Sequence, residues 1–182
     1  MKANDYIIGH WERKKIWKNN QRPHHRKRLN MIAQSVKGKK FLDVGCCFGH
    51  STNDLKRLHP GDWSGLDFSE YAAKKAHHLF PELTFYFAEN FKLLPVCGQF
   101  DSVVCSEVLE HVEEDQELVK GLLEITKDVL FMTTPHCFVN DPGHIRVYDE
   151  AMLADLFKGM QYKIQKDGLF FYITVSKNER LI

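Results

Sequence analysis

The stretch FLDVGCCFGHST, Phe41 to Thr52, decides how this chain is read. Phe41, Leu42 and Val44 form the short apolar run of a buried parallel strand, and Gly45 and Gly49 end it. Ser51, Thr52, Asn53 and Asp54 follow as candidate caps or first-turn residues, with Leu55 and Leu58 at helical spacing behind them. Strand, glycine turn and helix predict a site beyond the strand's carboxyl edge, where backbone N–H groups and a helix N-terminus face a ligand. The spacing argues against a dinucleotide. Gly-x-x-x-Gly is not Gly-x-Gly-x-x-Gly, His50 follows the second glycine, and the acid Asp43 lies inside the strand end.

Around this turn the composition is that of an ordinary globular protein: 182 residues, enough for one domain with a real core, 43% of them hydrophobic, with a net charge of +1. No apolar run approaches the roughly 20 residues of a membrane span, and no secretory leader pattern opens the chain, so a cytoplasmic location is expected. Cys46, Cys47, Cys97, Cys105 and Cys137 form no Cys-x-x-Cys pair and read as reduced core thiols, not as a disulfide frame or a zinc site.

Upstream, residues 1–38 are expected to be a basic, aromatic helical lid belonging to the same domain as residues 39–182. Arg13, Lys14, Lys15, Lys18, Arg22, Arg26, Lys27 and Arg28 are interleaved with Trp11, Trp17, His24 and His25. Pro23 opens a helix whose Leu29, Ile32, Ala33 and Val36 make one apolar stripe. The basic half is either a solvated face or a lid that meets an anionic substrate or nucleic acid.

Downstream, Trp63 to Leu66 lead into Asp67, Phe68 and Ser69. An acid at the end of the second strand can accept both hydroxyls of a ribose, and Asp67 is assigned that role over the alternative of a helix N-terminal acid. Phe68 is an adenine-stacking candidate or a plain core residue. Tyr71 and Lys75 match Tyr-x-x-x-Lys, but after the second strand and behind the wrong glycine turn for NAD. Leu83 to Phe87 read as a third strand. In FDSVVCSEVLEHV, Phe100 to Val112, a strand over Ser102 to Cys105 leads into a helix beginning near Glu107, which sets Glu107, Glu110 and His111 at i, i+3 and i+4. A helix to about Lys127, a strand over Val129 to Met132, the long loop His136 to Tyr148, and a helix capped by Asp149 with Met152, Leu153 and Leu156 inward complete the order. Tyr162 to Gln165 and Phe170 to Val175 alternate and are joined by Asp167-Gly168, a hairpin signal.

The turn resembles motif I of the class I S-adenosylmethionine-dependent methyltransferases, Asp-x-Gly-Cys-Gly-x-Gly, with Cys47 in place of the middle glycine. Phe100 to Val112 closely resembles the same segment of the subfamily that includes the ubiquinone-biosynthesis O-methyltransferases, and the resemblance spans about Lys39 to Lys177. It implies a Rossmann-like methyltransferase fold: an α/β, doubly wound, mostly parallel seven-stranded sheet with a C-terminal antiparallel hairpin. It also implies S-adenosylmethionine held by Asp43, Gly45, Cys46, Gly49, Asp67, Phe68 and Ser106, with Glu89 or Asn90 near the adenine amino group. Gly49 would let the chain pass close to the ligand.

The reaction implied is methyl transfer to a small-molecule acceptor at oxygen, with His111 or His144 as proton acceptor, since imidazole titrates at roughly 6.5. Glu107 and Glu110 would orient either ring. A sharper version has Glu107, Glu110, His111 and His144 hold one divalent cation, a pattern similar to that of the methyltransferases acting on the terminal 2′-hydroxyl of small RNAs. Two alternatives stay open: an RNA or nucleotide methyltransferase, and a catalytically silent module that binds S-adenosylmethionine, for which Cys47 is the one supporting residue. Neither the acceptor nor the oligomeric state is readable from these residues.

Overall fold

The computed structural model describes residue 18 and residues 21–177. Among them the chain runs α1 (Pro23–Ser35), β1 (Lys40–Val44), α2 (His50–Leu58), β2 (Asp62–Asp67), α3 (Glu70–Leu79), β3 (Thr84–Phe87), β4 (Phe100–Ser106), α4 (Asp115–Ile125), β5 (Thr126–Pro135), α5 (Glu150–Leu156), β6 (Tyr162–Asp167) and β7 (Phe170–Ser176). Short 3-10 turns at Phe91–Cys97 and Leu109–His111 flank β4. Trp11, Arg13, Lys14, Lys15 and Trp17 lie outside the described residues.

The strands form a seven-stranded sheet in the order β3-β2-β1-β4-β5-β7-β6. The first five run parallel, and β7 joins β5 and β6 antiparallel, as the expected hairpin requires. Successive side chains of a strand point to opposite faces, so the apolar runs of β1, β4 and β5 divide between two cores. Leu42, Val103 and Leu130 face one core, closed by Leu118 and Leu122 of α4 and Leu153 of α5. Phe41, Val104 and Phe131 face the other, closed by Leu29, Ile32 and Ala33 of α1 and Leu55 of α2. Pro23 opens α1, and the stripe expected there is buried. Ser69 and Asp149 cap α3 and α5 by accepting from Ala72 N and Met152 N.

Three expectations change. No helix begins at Glu107: that residue takes φ +59°, which an α-helix excludes, and Glu110 and His111 sit in the 3-10 turn Leu109–His111. α4 ends at Ile125 because Thr126 already belongs to β5, which extends to Pro135 by pairing with β7. Met152 is 40% exposed instead of inward, since a helix of seven residues buries only Leu153. Among the described residues, no helix is long and apolar enough to cross a membrane.

Register places the site. Val44 pairs with Leu66 and with Cys105, and Cys105 with Met132, so the parallel strands end level. The following residues, Gly45, Asp67, Ser106 and Thr133, form the rim beyond that row. The strand order reverses between β1 and β4, which is where an open α/β sheet leaves a crevice.

Candidate active site

A cleft of about 320 Å³ opens at this reversal, bordered by Asp43, Gly45, Cys46, Cys47, Ser106, Glu107, His111 and His144, with Arg28 and Phe170 on its other side. The β1–α2 turn forms its floor. Gly45 and Gly49 lie at φ +77° and +76°, in the left-handed region. A Cβ on Gly45 would overlap Val108, and one on Gly49 would fall 2.6 Å from the Phe85 ring. Gly49 therefore serves packing of the turn against β3 and α3.

Cys47, in place of the family's middle glycine, takes φ +49° and packs with Phe48 and Ala72. Its N–H donates to Asp67 Oδ2 at 2.7 Å. Gly45 and Cys46 both donate to the Leu66 carbonyl, at 2.8 and 3.0 Å. The N–H groups of these three residues thus tie the turn to β2, and they do not face a ligand as the sequence predicted.

Asp43 is buried and accepts from the Thr52 hydroxyl at 2.7 Å. Asp67 accepts from Cys47 N on one oxygen and from Ser69 N on the other, with the Phe68 N–H also turned to the carboxylate, so only part of its acceptor capacity is left. Burial pushes both carboxyl groups from an ordinary 3.8 up to about 6, with these hydrogen bonds opposing the rise. Phe68 is half-buried and meets Phe91 edge-on at 5.1 Å. Glu89 is exposed, and exposed Asn90 accepts from Lys92 N, so its carbonyl is used as a cap. Asp67, Phe68, Glu89 and Asn90 cluster at the ends of β2 and β3 and do not line the cleft beside Gly45.

Across the reversal point, Ser106 Oγ lies 2.8 Å from Thr133 Oγ1, which donates to Glu107 Oε1 at 3.0 Å. Glu110 is fully buried, accepts from Thr134 Oγ1 at 3.1 Å, and has its Oε1 3.8 Å from His144 Nε2. The His111 and His144 rings meet edge to face at 4.7 Å. Donor atoms of Glu110, His111 and His144 all lie within 4.8 Å of one another. The structure thus brings together three of the four expected ligands. Glu107 stands apart from them because its Oε2 pairs with Arg28 Nη1 at 3.5 Å. Burial raises both glutamates, helped at Glu110 by the charge of Glu107 and opposed at Glu107 by Arg28.

Sequence reasoning missed Arg28, which it counted in a basic face. Its side chain is 8% exposed and lies 5.1 Å over the Phe170 ring. Its Nε and Nη1 are buried without a hydrogen-bond partner among the described residues. The signal was there: Arg28 stands four residues before Ile32 and next to Leu29, on the inward stripe of α1. Its neighbours are also engaged, since Arg26 pairs with Asp54 and Lys27 with Asp167.

Residues 42–129 match the family model of a methyltransferase domain. The ubiquinone biosynthesis O-methyltransferase of Escherichia coli O127:H6 is 34% identical over 117 residues, which are 58% of this chain and 48% of that protein. The chain therefore spans about half the length of the curated relatives it matches. Among solved structures, the magnesium protoporphyrin IX methyltransferase of Synechocystis with bound S-adenosylmethionine superposes at TM-score 0.73 and 15% identity, over 97% of this chain and 95% of that one. An S-adenosylmethionine-dependent methyltransferase from Archaeoglobus fulgidus superposes at 0.74 and 16% identity, over 92% of this chain and all of that one.

Proposed function

We propose that this chain is a class I S-adenosylmethionine-dependent methyltransferase, a reading supported by the partial domain match and the fold, and that it transfers a methyl group to a hydroxyl of a small-molecule acceptor. The observation that carries the reading is the pairing of two unlike ends at one crevice. On one side lie the β1–α2 turn and, at the end of β2, the Asp67 carboxylate with acceptor capacity left, while the Arg28 guanidinium of α1 borders the cleft. Across the reversal there is a pair of imidazoles.

The residues fit the cofactor. Among the described residues Arg28 Nε has no hydrogen-bond partner and Nη1 meets Glu107 only as a 3.5 Å ion pair, so the guanidinium can also hold the methionine carboxylate in a charge-assisted contact. Asp67 can accept the ribose hydroxyls on its remaining lone pairs, and Phe68 with Phe91 offers an aromatic edge for the adenine. Bound there, S-adenosylmethionine supplies an electrophilic methyl group on a sulfonium sulfur. Cys47, the residue that favoured a silent module, adopts the turn's left-handed conformation and keeps its bond to Asp67.

His111 and His144 face the cleft opposite this end. As the acceptor oxygen forms its bond to the methyl carbon and the carbon–sulfur bond breaks, one of these imidazoles takes the hydroxyl proton. Glu110, 3.8 Å from His144, stabilises the ring that becomes charged. The same three residues suit a divalent cation, whose chemistry would be to lower the pKa of a bound hydroxyl. Val139, Leu169 and Phe170 give the mouth an apolar border, suited to the body of a small organic acceptor. α1 borders the cleft through Arg28, Leu29 and Ile32, and the free cysteines suit a reducing cytoplasmic setting. The RNA reading loses its support on α1, because Arg26, Lys27 and Arg28 each face a carboxylate of this chain.

The test is transfer of labelled methyl from S-adenosylmethionine to a panel of phenols, catechols and aliphatic hydroxy acids, with small RNAs in parallel, with and without Mg²⁺. Label is expected in a hydroxylated small molecule, with His144→Gln lowering the rate at least tenfold. Label in RNA alone would overturn the acceptor class.

A further inference from the structure

The loop from His136 to Tyr148 brings His144 to the cleft, and nothing in the reaction assigned above uses the residues that follow it. Ile145 N donates to the Glu110 carbonyl at 3.0 Å. Arg146 Nη1 donates to Asp115 Oδ2 at 2.5 Å, and its Nη2 to the Glu113 carbonyl at 2.9 Å. The Tyr148 hydroxyl donates to the same Asp115 oxygen at 2.8 Å and lies 3.5 Å from the Leu109 carbonyl. Tyr148 is 2% exposed, and the Arg146 guanidinium lies 5.8 Å from its ring centre.

We propose that Arg146, Asp115 and Tyr148 form a clamp of positioning residues that sets His144 against Glu110 and His111. The inference rests on the function proposed above and names its supporting shell. The geometry has a simple logic. Asp115 opens α4 four residues after His111, and Arg146 and Tyr148 lie two and four residues after His144. One carboxylate therefore fixes two segments, each carrying an imidazole of the 4.7 Å ring pair. The clamp's bonds converge on one oxygen from two directions, so both the height and the rotation of the loop are set. At the other end of the loop, His136 N donates to the Leu169 carbonyl at 3.1 Å, and within it His144 N donates to the Asp141 carbonyl at 3.2 Å.

A side chain held this way differs from one that merely adds stability. Loss of the clamp moves His144 relative to His111 while the β1–β2 end of the cleft keeps its own bonds. It also predicts non-additivity, because Arg146 and Asp115 act as one unit.

The experiment uses long-range ¹H–¹⁵N spectra of the histidine rings, assigned with His111→Gln and His144→Gln, together with S-adenosylhomocysteine binding by calorimetry. In Arg146→Ala and in Asp115→Ala the His144 ring resonances are expected to move towards those of a solvated histidine, and the double variant to look like either single one. Arg146→Lys restores part of the shift. S-adenosylhomocysteine affinity stays within about twofold in all of them. Tyr148→Phe keeps the buried ring and removes only the hydroxyl, so it reads the clamp even if the alanine variants fold poorly. Unchanged His144 resonances in folded Arg146→Ala and Tyr148→Phe would overturn the clamp. Absence of S-adenosylhomocysteine binding by the wild-type chain would instead overturn the cofactor assignment and leave the ring spectra to judge the clamp by themselves.

Discussion

At the scale of residues, the site is built from carboxyl groups whose burial makes them harder to ionise. Burial raises Asp43 and Asp67 to about 6, so the folded chain holds these protons more tightly than the unfolded one. Their contribution to stability is therefore present below about pH 4 and lost as pH rises through about 6. The ligand has the opposite preference. An ionised Asp67 offers its remaining lone pairs to a ribose, and a protonated one gives one of them up, so S-adenosylhomocysteine affinity should fall about tenfold for each pH unit below 6 and level off above 7. Calorimetry from pH 5 to 7.5 checks this, and a flat profile would contradict the role of Asp67. Residue-level reading of the sequence singled out Glu110, His111 and His144, which the structure brings together, and the strand-end acids Asp43 and Asp67, which it buries. It passed over Arg28 because a basic run was taken as one surface, although Arg28 shares the inward face of α1 with Ile32.

At the scale of elements, the β1–α2 turn shows what its glycines are for. In Gly49→Ala, the left-handed φ of +76° and a Cβ placed 2.6 Å from the Phe85 ring would each cost stability, together about 2–4 kcal/mol. Urea unfolding without any ligand measures it; a loss seen only with S-adenosylhomocysteine present would return Gly49 to a cofactor role. Most elements were legible, since β1, β4 and β5 carry apolar runs and the caps Ser69 and Asp149 mark helix starts. The segment after β4 was misread. Glu107, Glu110 and His111 have helical spacing, yet Glu107 N donates to the Thr133 carbonyl and the chain leaves the strand at φ +59°. A tertiary bond to β5 overrides local periodicity there, and sequence spacing carries no sign of it.

At the scale of the whole molecule, level strand ends and a reversal of order between β1 and β4 create one crevice. The sheet order followed from the order of strands and helices, together with the Asp167-Gly168 hairpin. The meeting of α1 with the cleft did not, because long-range packing of a helix leaves only its inward stripe in the sequence. The central claim is that this crevice holds S-adenosylmethionine, and the direct measurement is thermal unfolding with S-adenosylhomocysteine, with NAD as the control. At a ligand concentration about 100 times the dissociation constant, binding to the native state should add roughly 2.7 kcal/mol. The account predicts that stabilisation with S-adenosylhomocysteine, none with NAD, and its loss in both Asp67→Ala and Arg28→Ala. No shift at saturating S-adenosylhomocysteine, or an equal shift with NAD, would contradict it.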